Sequence, residues 1–393
     1  MSQPNRPIRV ALIGLNAPYN NTSNPATGTS WAAAAHLPYL TWSPKYEIVA
    51  LQNSSVEKAV ISRNIYGLDE SKVKVYGRAE DVANDPDVDL VVTSIRVDKH
   101  ANSVIPSIQA GKDVFVEWPL EANPLKAGEL TDLVKRYGVR NIVGLQGGKS
   151  PVVKKMKELI EQGAIGRVEA SNVVAKAYGG STMASHVDYF VDKEVGGNIL
   201  TIAFGHALEC ILEALGDIKT YSSLLVNQYP EVDIIDSSTG DIKEKGRKNT
   251  VPNQIVFDGI LSSGAVLTLK MHGGTQVSTN LSARGSGSQT SGNGSPMLDW
   301  RIFGSKGEIR VIGHSTWSLN TGSKDFRVEL WSAESGQTAL IDVGEDELAA
   351  LPVPARNIGR LYEAFAAGEG YPDFEKALKR HDLIENMYRQ NKM

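Results

Sequence analysis

The chain has 393 residues, more than one small domain needs, and its hydrophobic fraction of 41% is that of an ordinary globular protein. A net charge of −4 excludes a global basic field that would attract nucleic acid, so we expect no direct nucleic-acid partner. The single cysteine, Cys210, fits a reducing compartment. No run approaches the roughly 18 apolar residues of a membrane helix. The sequence therefore predicts a cytoplasmic protein of two domains with no membrane contact.

The first 150 residues alternate between short apolar runs and helical patterns. The predicted strands are "IRVALIGLN", "YEIVALQNSS", "DLVVTSI", "DVFVEW" and "RNIVGLQGG". Strands that alternate with helices in this way predict βαβ units and a parallel sheet. We therefore expect residues 1–150 to form a doubly wound Rossmann domain, within an α/β fold.

The remaining residues, 151–393, show a different pattern. Segments such as "QIVFDGIL" and "AVLTLKMHG" are bounded by turns, with little helix between the later ones. They predict a C-terminal α+β domain with a large, mainly antiparallel open sheet. The final helical segment, "FEKALKRHDLIENMYRQ", can pack back onto the first domain. The Gly/Ser-rich segment 282–296 is typical of a mobile hairpin loop.

The loop after the first strand is a candidate phosphate loop, because backbone N–H groups at this place bind a dinucleotide pyrophosphate. Gly14 is present, and Asn16, which tolerates positive φ, takes the second position of the usual G-x-G-x-x-G motif. Residues 17–30 then interrupt the motif, and this insertion could lie over the cofactor. Ser30 and Trp31, at the start of the next helix, are further candidate contacts. A strand-to-helix loop without a ligand is the alternative.

The end of the second strand indicates which dinucleotide binds. An acid there would accept from the ribose 2′-hydroxyl and select NAD, but the chain reads "LQNSSVEK". Asn53, Ser54 and Ser55 can donate to a 2′-phosphate, and Lys58 lies one turn away. The sequence therefore favours NADP over NAD, with a polar loop that makes no contact as the alternative.

With these segments in place, the chain resembles the glucose–fructose oxidoreductase/inositol dehydrogenase (Gfo/Idh/MocA) family. The motifs "GLNA", "FVEWPL", "LQGGKSP", "ELIEQGAIG" and "FGHALECIL" are more similar to one branch, which contains the corepressor of the yeast galactose regulon. The resemblance spans nearly the whole chain. It implies a Rossmann domain, a C-terminal sheet often used for homodimerisation, and a cofactor along the carboxyl ends of the parallel strands. Candidate contacts there are Ile95, His100, Glu117 and Gln146, with Glu117 facing the nicotinamide ribose.

Two departures from the family pattern concern catalysis. Family enzymes end the fifth strand with Glu-Lys-Pro, and here Trp118 replaces the lysine. They also carry an Asp four residues before a helix histidine, and here Ile202 stands at that distance from His206. An indole N–H does not titrate in water, and isoleucine cannot orient a polar group. Since general acid–base catalysis contributes ~100–10,000-fold to the rate, we expect the family reaction to be slow unless another group transfers the proton.

The remaining candidates for chemistry are few. His206 is either an acid/base over the substrate or a buried structural histidine, and Lys149 could replace the missing ammonium. Trp118, His186 and Tyr189 are candidates for the lining of the substrate cleft, and surface placement is equally open for the last two. The seven histidines show no metal-ligand spacing, so we expect no metal site.

Two functions remain open. The first is an NADP-dependent oxidoreductase that transfers hydride to or from a small molecule, with an acid/base that differs from the family norm. The alternative is a non-catalytic NADP-binding transcriptional regulator that takes an activator peptide in the interdomain cleft, for which a nuclear location is also open. We favour the enzyme, and in either case a homodimer.

Overall fold

The computed structural model describes residues 6–18, 30–236, 239–274, 297–313, 316–323 and 326–393. The predicted loop 282–296 and most of the insertion 17–30 lie outside these residues. The chain divides into two compact units, Met1–Leu145 with Leu348–Asp382, and Gln146–Glu347 with Leu383–Met393. Residues 348–382 thus belong with the first unit, whereas the division expected from the sequence placed them in the second domain.

The first unit contains a parallel sheet of six strands in the order β3-β2-β1-β4-β5-β6. Its strands are β1 (Ile8–Ile13), β2 (Tyr46–Gln52), β3 (Lys74–Tyr76), β4 (Leu90–Thr93), β5 (Asp113–Val116) and β6 (Asn141–Val143). The strand order reverses between β1 and β4, which is the point where doubly wound sheets bind dinucleotides. The predicted Rossmann sheet is confirmed.

Helices cover this sheet. They are α1 (Leu37–Trp42), α2 (Val56–Ile65), α3 (Ala79–Ala83), α4 (His100–Gln109) and α5 (Pro124–Tyr137). A π-helical turn, Ala32–His36, directly precedes α1. Local sequence sets the ends of α5: the Asn123 side chain accepts from the Lys126 N–H at 3.1 Å, and Gly138 ends the helix at a φ of 64°. Such caps satisfy backbone groups that have no partner inside the helix.

The second unit contains two sheets and several helices. Its elements are α6 (Pro151–Glu161), β7 (Val168–Ala177), β8 (Thr182–Ala184), α7 (Gly205–Leu215), β9 (Ile218–Val226), β10 (Glu231–Ile235), β11 (Ile242–Lys248), β12 (Gln254–Leu261), β13 (Val266–Gly273), β14 (Leu298–Gly304), β15 (Gly307–Gly313), α8 (Thr316–Thr321), β16 (Phe326–Ser332) and β17 (Thr338–Leu340). The large sheet has eight strands in the order β17-β16-β15-β14-β7-β13-β12-β9, and the small sheet has the order β11-β10-β8. All pairs in the large sheet are antiparallel except β7 with β13, so the predicted mainly antiparallel sheet is confirmed.

Two helices follow the large sheet, α9 (Val353–Ala367) and α10 (Phe374–Gln390). Ile358, Leu361, Tyr362 and Phe365 of α9 are fully buried and join Tyr39 and Phe115 in the core of the first unit. α10 begins in the first unit and ends in the second. Within the described ranges, none of the helices combines the length and the apolar character that crossing a membrane requires.

Candidate dinucleotide site and catalytic groups

The carboxyl ends of β1 and β4 come close together at Gly14. This residue has a φ of 91°, and its N–H donates to the Gln52 carbonyl at 3.1 Å. A Cβ at this position would lie 2.3 Å from the Ser94 carbonyl oxygen and 2.5 Å from Cγ2 of Ile95. Only glycine fits both the backbone conformation and the space, as a loop that leads backbone N–H groups to a phosphate requires.

The residues that flank the insertion are held locally. The exposed Asn16 donates its N–H to the Ser30 hydroxyl at 3.4 Å, and its carbonyl accepts from the Tyr66 hydroxyl at 2.8 Å. The Ser30 carbonyl accepts two N–H groups of the following turn, each at 3.0 Å. Trp31 is half-buried against the core of the unit. Asn16 and Ser30 therefore bring the two ends of the insertion together beside Gly14.

Asn53, a candidate donor to a 2′-phosphate, is engaged within the first unit. Its side chain is buried, and its amide nitrogen donates to the Leu15 carbonyl at 3.0 Å and to the Ser62 hydroxyl at 3.1 Å. This side chain therefore links the loop after β1 to α2. Its contribution to a phosphate site would be to shape the loop rather than to supply a donor.

The start of α2 carries the other candidates: Ser54 precedes the helix, Ser55 is its N-cap residue, and Lys58 lies in its first turn. Ser54 and Lys58 are exposed, and the Ser55 hydroxyl caps the helix by accepting the Lys58 N–H at 3.3 Å. Glu57, which sequence reasoning did not single out, stands on the same turn. The hydrogen bond from the Ser55 side chain lowers the pKa of its carboxyl, so Glu57 is ionised at neutral pH. A negative charge therefore lies beside the proposed phosphate donors.

Glu117 directly follows β5 and belongs to a buried hydrogen-bonded chain. Its N–H donates to the Thr93 carbonyl at 3.1 Å, and its Oε1 lies 2.8 Å from Nε2 of His36. Nδ1 of His36 lies 2.7 Å from the hydroxyl of Tyr362 on α9, and all three side chains are buried. The contacts are satisfied when the phenol donates to Nδ1 and the Nε2–H donates to the carboxylate. The Glu117 carboxylate was predicted to face the nicotinamide ribose, and one of its oxygens is therefore already hydrogen-bonded to His36.

Trp118 is packed inside the first unit. Its side chain is only 4% exposed, and its ring centroid lies 4.7 Å from that of His381 on α10. Burial, together with the nearby His100, lowers the pKa of His381 to about 3, so this imidazole is neutral at pH 7. The role of Trp118 as a lining of the substrate cleft stays a prediction. Sequence reasoning missed His381, because no spacing in the sequence connects α10 with the end of β5.

His100 connects the loops that follow β4 and β5. Its Nδ1 lies 3.1 Å from the Leu120 carbonyl and its Nε2 lies 3.1 Å from the Ile95 carbonyl. The side chain is buried and Ile95 is half-buried. His100 thus holds the Ile95 backbone beside Gly14, and its contact with a cofactor stays a prediction.

In the second unit, Gln146 and Lys149 share a 3₁₀ turn, Gln146–Lys149. The Gln146 side chain is fully buried, and neither amide atom is hydrogen-bonded to any residue that the structure describes. Lys149 is half-buried. A Cβ on Gly147 would lie 2.5 Å from the sulfur of Cys210, so the turn packs closely on α7.

His206 lies in the first turn of α7, directly after a π-helical segment, Ile199–Phe204. It is buried, and burial lowers the pKa of its imidazole to about 3. At pH 7 the ring is neutral, so it can donate one N–H but holds no extra proton to give away. Burial raises the pKa of the Cys210 thiol, which is therefore not a thiolate. α7 thus places a hydrogen-bonding imidazole rather than an acid.

His186 and Tyr189 lie together in a 3₁₀ segment, Ser185–Val191, and both are half-buried. The Tyr189 ring packs edge-on against Phe190 at 4.9 Å between centroids. In the ranges that the structure describes, no three His, Cys, Asp or Glu side chains converge in a way that could hold a metal ion.

Two family models match the chain. Residues 27–145 match the "Oxidoreductase family, NAD-binding Rossmann fold", and residues 151–313 match the "Gal80p, C-terminal domain". The dehydrogenase aclE of Aspergillus oryzae is 31% identical over 311 residues, which cover 78% of this chain and 77% of aclE. The chain belongs to the Gfo/Idh/MocA family. The family predicted from the sequence motifs is confirmed.

This Gfo/Idh/MocA protein is also similar to a regulator. The galactose/lactose metabolism regulatory protein GAL80 of Saccharomyces cerevisiae is 26% identical over 436 residues, which cover 98% of this chain and 93% of GAL80. A crystal structure of a super-repressor mutant of Gal80p from S. cerevisiae has a TM-score of 0.82 at 24% identity, over 98% of this chain and 96% of that one. The fold is therefore shared with Gal80p, and the relatives include both a dehydrogenase and a regulator.

Proposed function

We propose that the protein is an NADP-dependent oxidoreductase that transfers hydride to or from a small organic molecule. The observation that carries the proposal is the close approach of Gly14 to Ser94, where a Cβ would lie 2.3 Å from the carbonyl oxygen. This approach lies at the point where the strand order reverses, and a helix begins beyond it. The residues present fit a dinucleotide there, and a bound dinucleotide would supply the hydride donor or acceptor.

The chemistry would have to proceed with little help from titrating side chains. The buried Trp118 does not titrate, and His206 is neutral at pH 7. His206 can donate an N–H to a substrate atom and so orient the substrate. Lys149 is the remaining candidate cation. Reduction of an imine or an activated alkene requires less proton transfer from the protein than oxidation of a sugar alcohol. We therefore propose the former substrates.

An activity panel tests the proposal. NADPH consumption is measured with carbonyl, imine, activated-alkene and sugar substrates, and we expect turnover with an imine or an alkene. His206→Ala should lower that turnover by roughly 100-fold or more if its hydrogen bond takes part in the transition state. Unchanged turnover in that variant would remove His206 from the mechanism. No turnover with any of the four classes would count against an enzyme.

The choice of NADP over NAD is supported by the exposed Ser54 and Lys58 and the half-buried Ser55, which lie at the N-terminus of α2. Glu57 opposes it, because its carboxylate repels a 2′-phosphate. Isothermal titration should show tighter binding of NADPH than of NADH. Glu57→Gln should tighten NADPH by about twofold to fivefold, the scale of an exposed charge pair, and leave NADH unchanged. Equal or tighter binding of NADH by the wild type would refute the choice.

The second candidate function is a non-catalytic NADP-binding regulator. It is favoured by the absence of a titrating group at Trp118 and by the similarity to GAL80 along 98% of the chain. Its partner would be a peptide of a transcriptional activator, and the dinucleotide would adjust the affinity of that contact. Fluorescence anisotropy of labelled activation-domain peptides, with and without NADP, tests this. Peptide affinity that does not respond to NADP, together with turnover in the substrate panel, would exclude it.

A homodimer through the large sheet is part of either function. Ile260 of β12 and Val266 of β13 are direct cross-strand neighbours, and they are 45% and 50% exposed. Leu224 of β9 and Val174 of β7 are also exposed large apolar residues on strands of this sheet. Exposed apolar groups of this kind favour association. Sedimentation at micromolar concentration should give twice the mass of one chain, and Val266→Lys should lower the measured mass towards that of one chain.

We also propose a cytoplasmic location, or a nuclear one for a regulator.

A further inference from the structure

The buried chain of Tyr362, His36 and Glu117 ends at the edge where a dinucleotide would bind. Three parts of the first unit meet there: the π-helical turn Ala32–His36, the end of β5, and α9 from the returning segment 348–382. We propose that this chain positions the Glu117 carboxylate so that its charge favours the oxidised over the reduced form of a bound dinucleotide. The inference rests on the proposed dinucleotide site and goes beyond it.

The place of the carboxylate is set by three strand ends. The Glu117 N–H donates to the Thr93 carbonyl at 3.1 Å, which continues the ladder between β5 and β4. On the other side, a Cβ on Gly144 would lie 2.6 Å from Oε2 and 2.7 Å from Oε1 of Glu117. The carboxylate therefore lies directly over the backbone that follows β6. It stands at the carboxyl ends of β4, β5 and β6, where only glycine leaves it room.

Strand order decides which half of a dinucleotide this carboxylate meets. Doubly wound sheets bind a dinucleotide across the reversal of strand order, with one mononucleotide on each half of the sheet. The loop after β2 is the place of the 2′ substituent of the adenosine, so the nicotinamide half belongs to β4, β5 and β6. The oxidised nicotinamide ring carries a positive charge and the reduced ring does not. A fixed negative charge under this half therefore stabilises the oxidised form more than the reduced form.

Burial makes the charge effective, and the hydrogen bonds keep it in place. Glu117 is 8% exposed, whereas His36 and Tyr362 are 0% exposed, so solvent screens the carboxylate weakly. The 2.8 Å contact from His36 fixes Oε1, and the 2.7 Å contact from Tyr362 fixes the imidazole. Tyr362 and His36 touch no bound molecule in this proposal. They are positioning residues that act through Glu117.

The experiment measures the dissociation constants of NADP⁺ and NADPH for the full chain by isothermal titration. Glu117→Gln keeps the shape and removes the charge, and should shift the affinity ratio towards NADPH by about tenfold. Tyr362→Phe should shift the ratio in the same direction, by about twofold to threefold, because the imidazole loses its donor. The matched control is Tyr46→Phe, whose hydroxyl donates to the Tyr362 carbonyl at 2.6 Å in the same core. It should lower the melting temperature as Tyr362→Phe does and leave the ratio unchanged.

The outcomes separate the inference from the function on which it rests. If the wild type binds neither form, the proposed dinucleotide site is wrong. If both forms bind and the ratio is the same in the wild type and Glu117→Gln, the inference alone is overturned. If Glu117→Gln does not fold, Tyr362→Phe against Tyr46→Phe decides, and equal ratios in these two variants overturn the inference. A shift confined to Glu117→Gln and Tyr362→Phe supports it.

Discussion

Restoring the family lysine at position 118 should damage the fold rather than create a sugar dehydrogenase. Trp118 is 4% exposed and its ring centroid lies 4.7 Å from that of His381, whose imidazole is neutral because burial lowers its pKa to about 3. Truncating a buried tryptophan costs about 3–5 kcal/mol. The lysine stem refills part of the space, but an ammonium against a neutral imidazole adds a desolvation cost. We expect Trp118→Lys to lower the free energy of unfolding by about 3–5 kcal/mol.

Urea unfolding followed by circular dichroism measures this loss. Trp42→Lys is the matched control, because Trp42 belongs to the same unit but is 50% exposed, and this variant should lose less than about 1 kcal/mol. Both variants are also assayed for oxidation of sugar alcohols with NADP⁺. Unfolding of Trp118→Lys at the wild-type urea midpoint would refute the predicted loss of stability. Oxidation of a sugar alcohol by this variant would refute the prediction that the lysine creates no sugar dehydrogenase.

Two further predictions concern stability. His206 and His381 have a pKa of about 3 in the folded protein and about 6.5 when unfolded, so the unfolded state binds more protons between these values. Stability should therefore fall as the pH falls from 6.5 towards 3, and His381→Phe should flatten that dependence in urea titrations; an unchanged slope would contradict it. Gly14→Ala should cost about 2 kcal/mol or more and abolish dinucleotide binding, because its Cβ would meet Ser94 at 2.3 Å. Gly111→Ala, with a φ of 77° and nothing within 4 Å, is the control and should cost only about 1 kcal/mol without loss of binding.

Local patterns in the sequence were enough to find five of the six strands of the parallel sheet, all except the short β3. β1, β2, β4 and β5 are mainly apolar because parallel strands are covered on both faces, and Gly14, Asn53 and Ser94 directly follow the first three of them. The start and end of α5 follow from Asn123 and Gly138, which act within one turn. Gly14 was found for the same reason, since a glycine after the first strand is a local signal.

Contacts between distant segments could not be read in this way. α9 carries its apolar residues at helical spacing, yet nothing in its pattern says that it returns to the first unit. The hydrogen bond from Tyr362 to His36 spans 326 residues, and that from His36 to Glu117 spans 81. His381 meets Trp118 only because α10 begins in the first unit. Glu57 lies between the candidates Ser55 and Lys58, so the sequence already showed its charge beside them.

The neutral state of the buried histidines gives one more prediction, on the pH dependence of catalysis. General acid–base catalysis by a histidine produces an inflection in the rate near its pKa, which for an ordinary histidine falls between pH 5 and 8. Burial lowers the pKa of His206 to about 3, and Trp118 does not titrate at all. An enzyme that uses these residues should therefore show a kcat that is flat from pH 5 to 8, with the proton supplied by water or by the substrate. A bell-shaped or sigmoidal profile in this range, lost in His206→Ala, would mean that His206 titrates during turnover and that burial does not fix its charge. A profile with an inflection that survives His206→Ala would instead direct attention to Lys149.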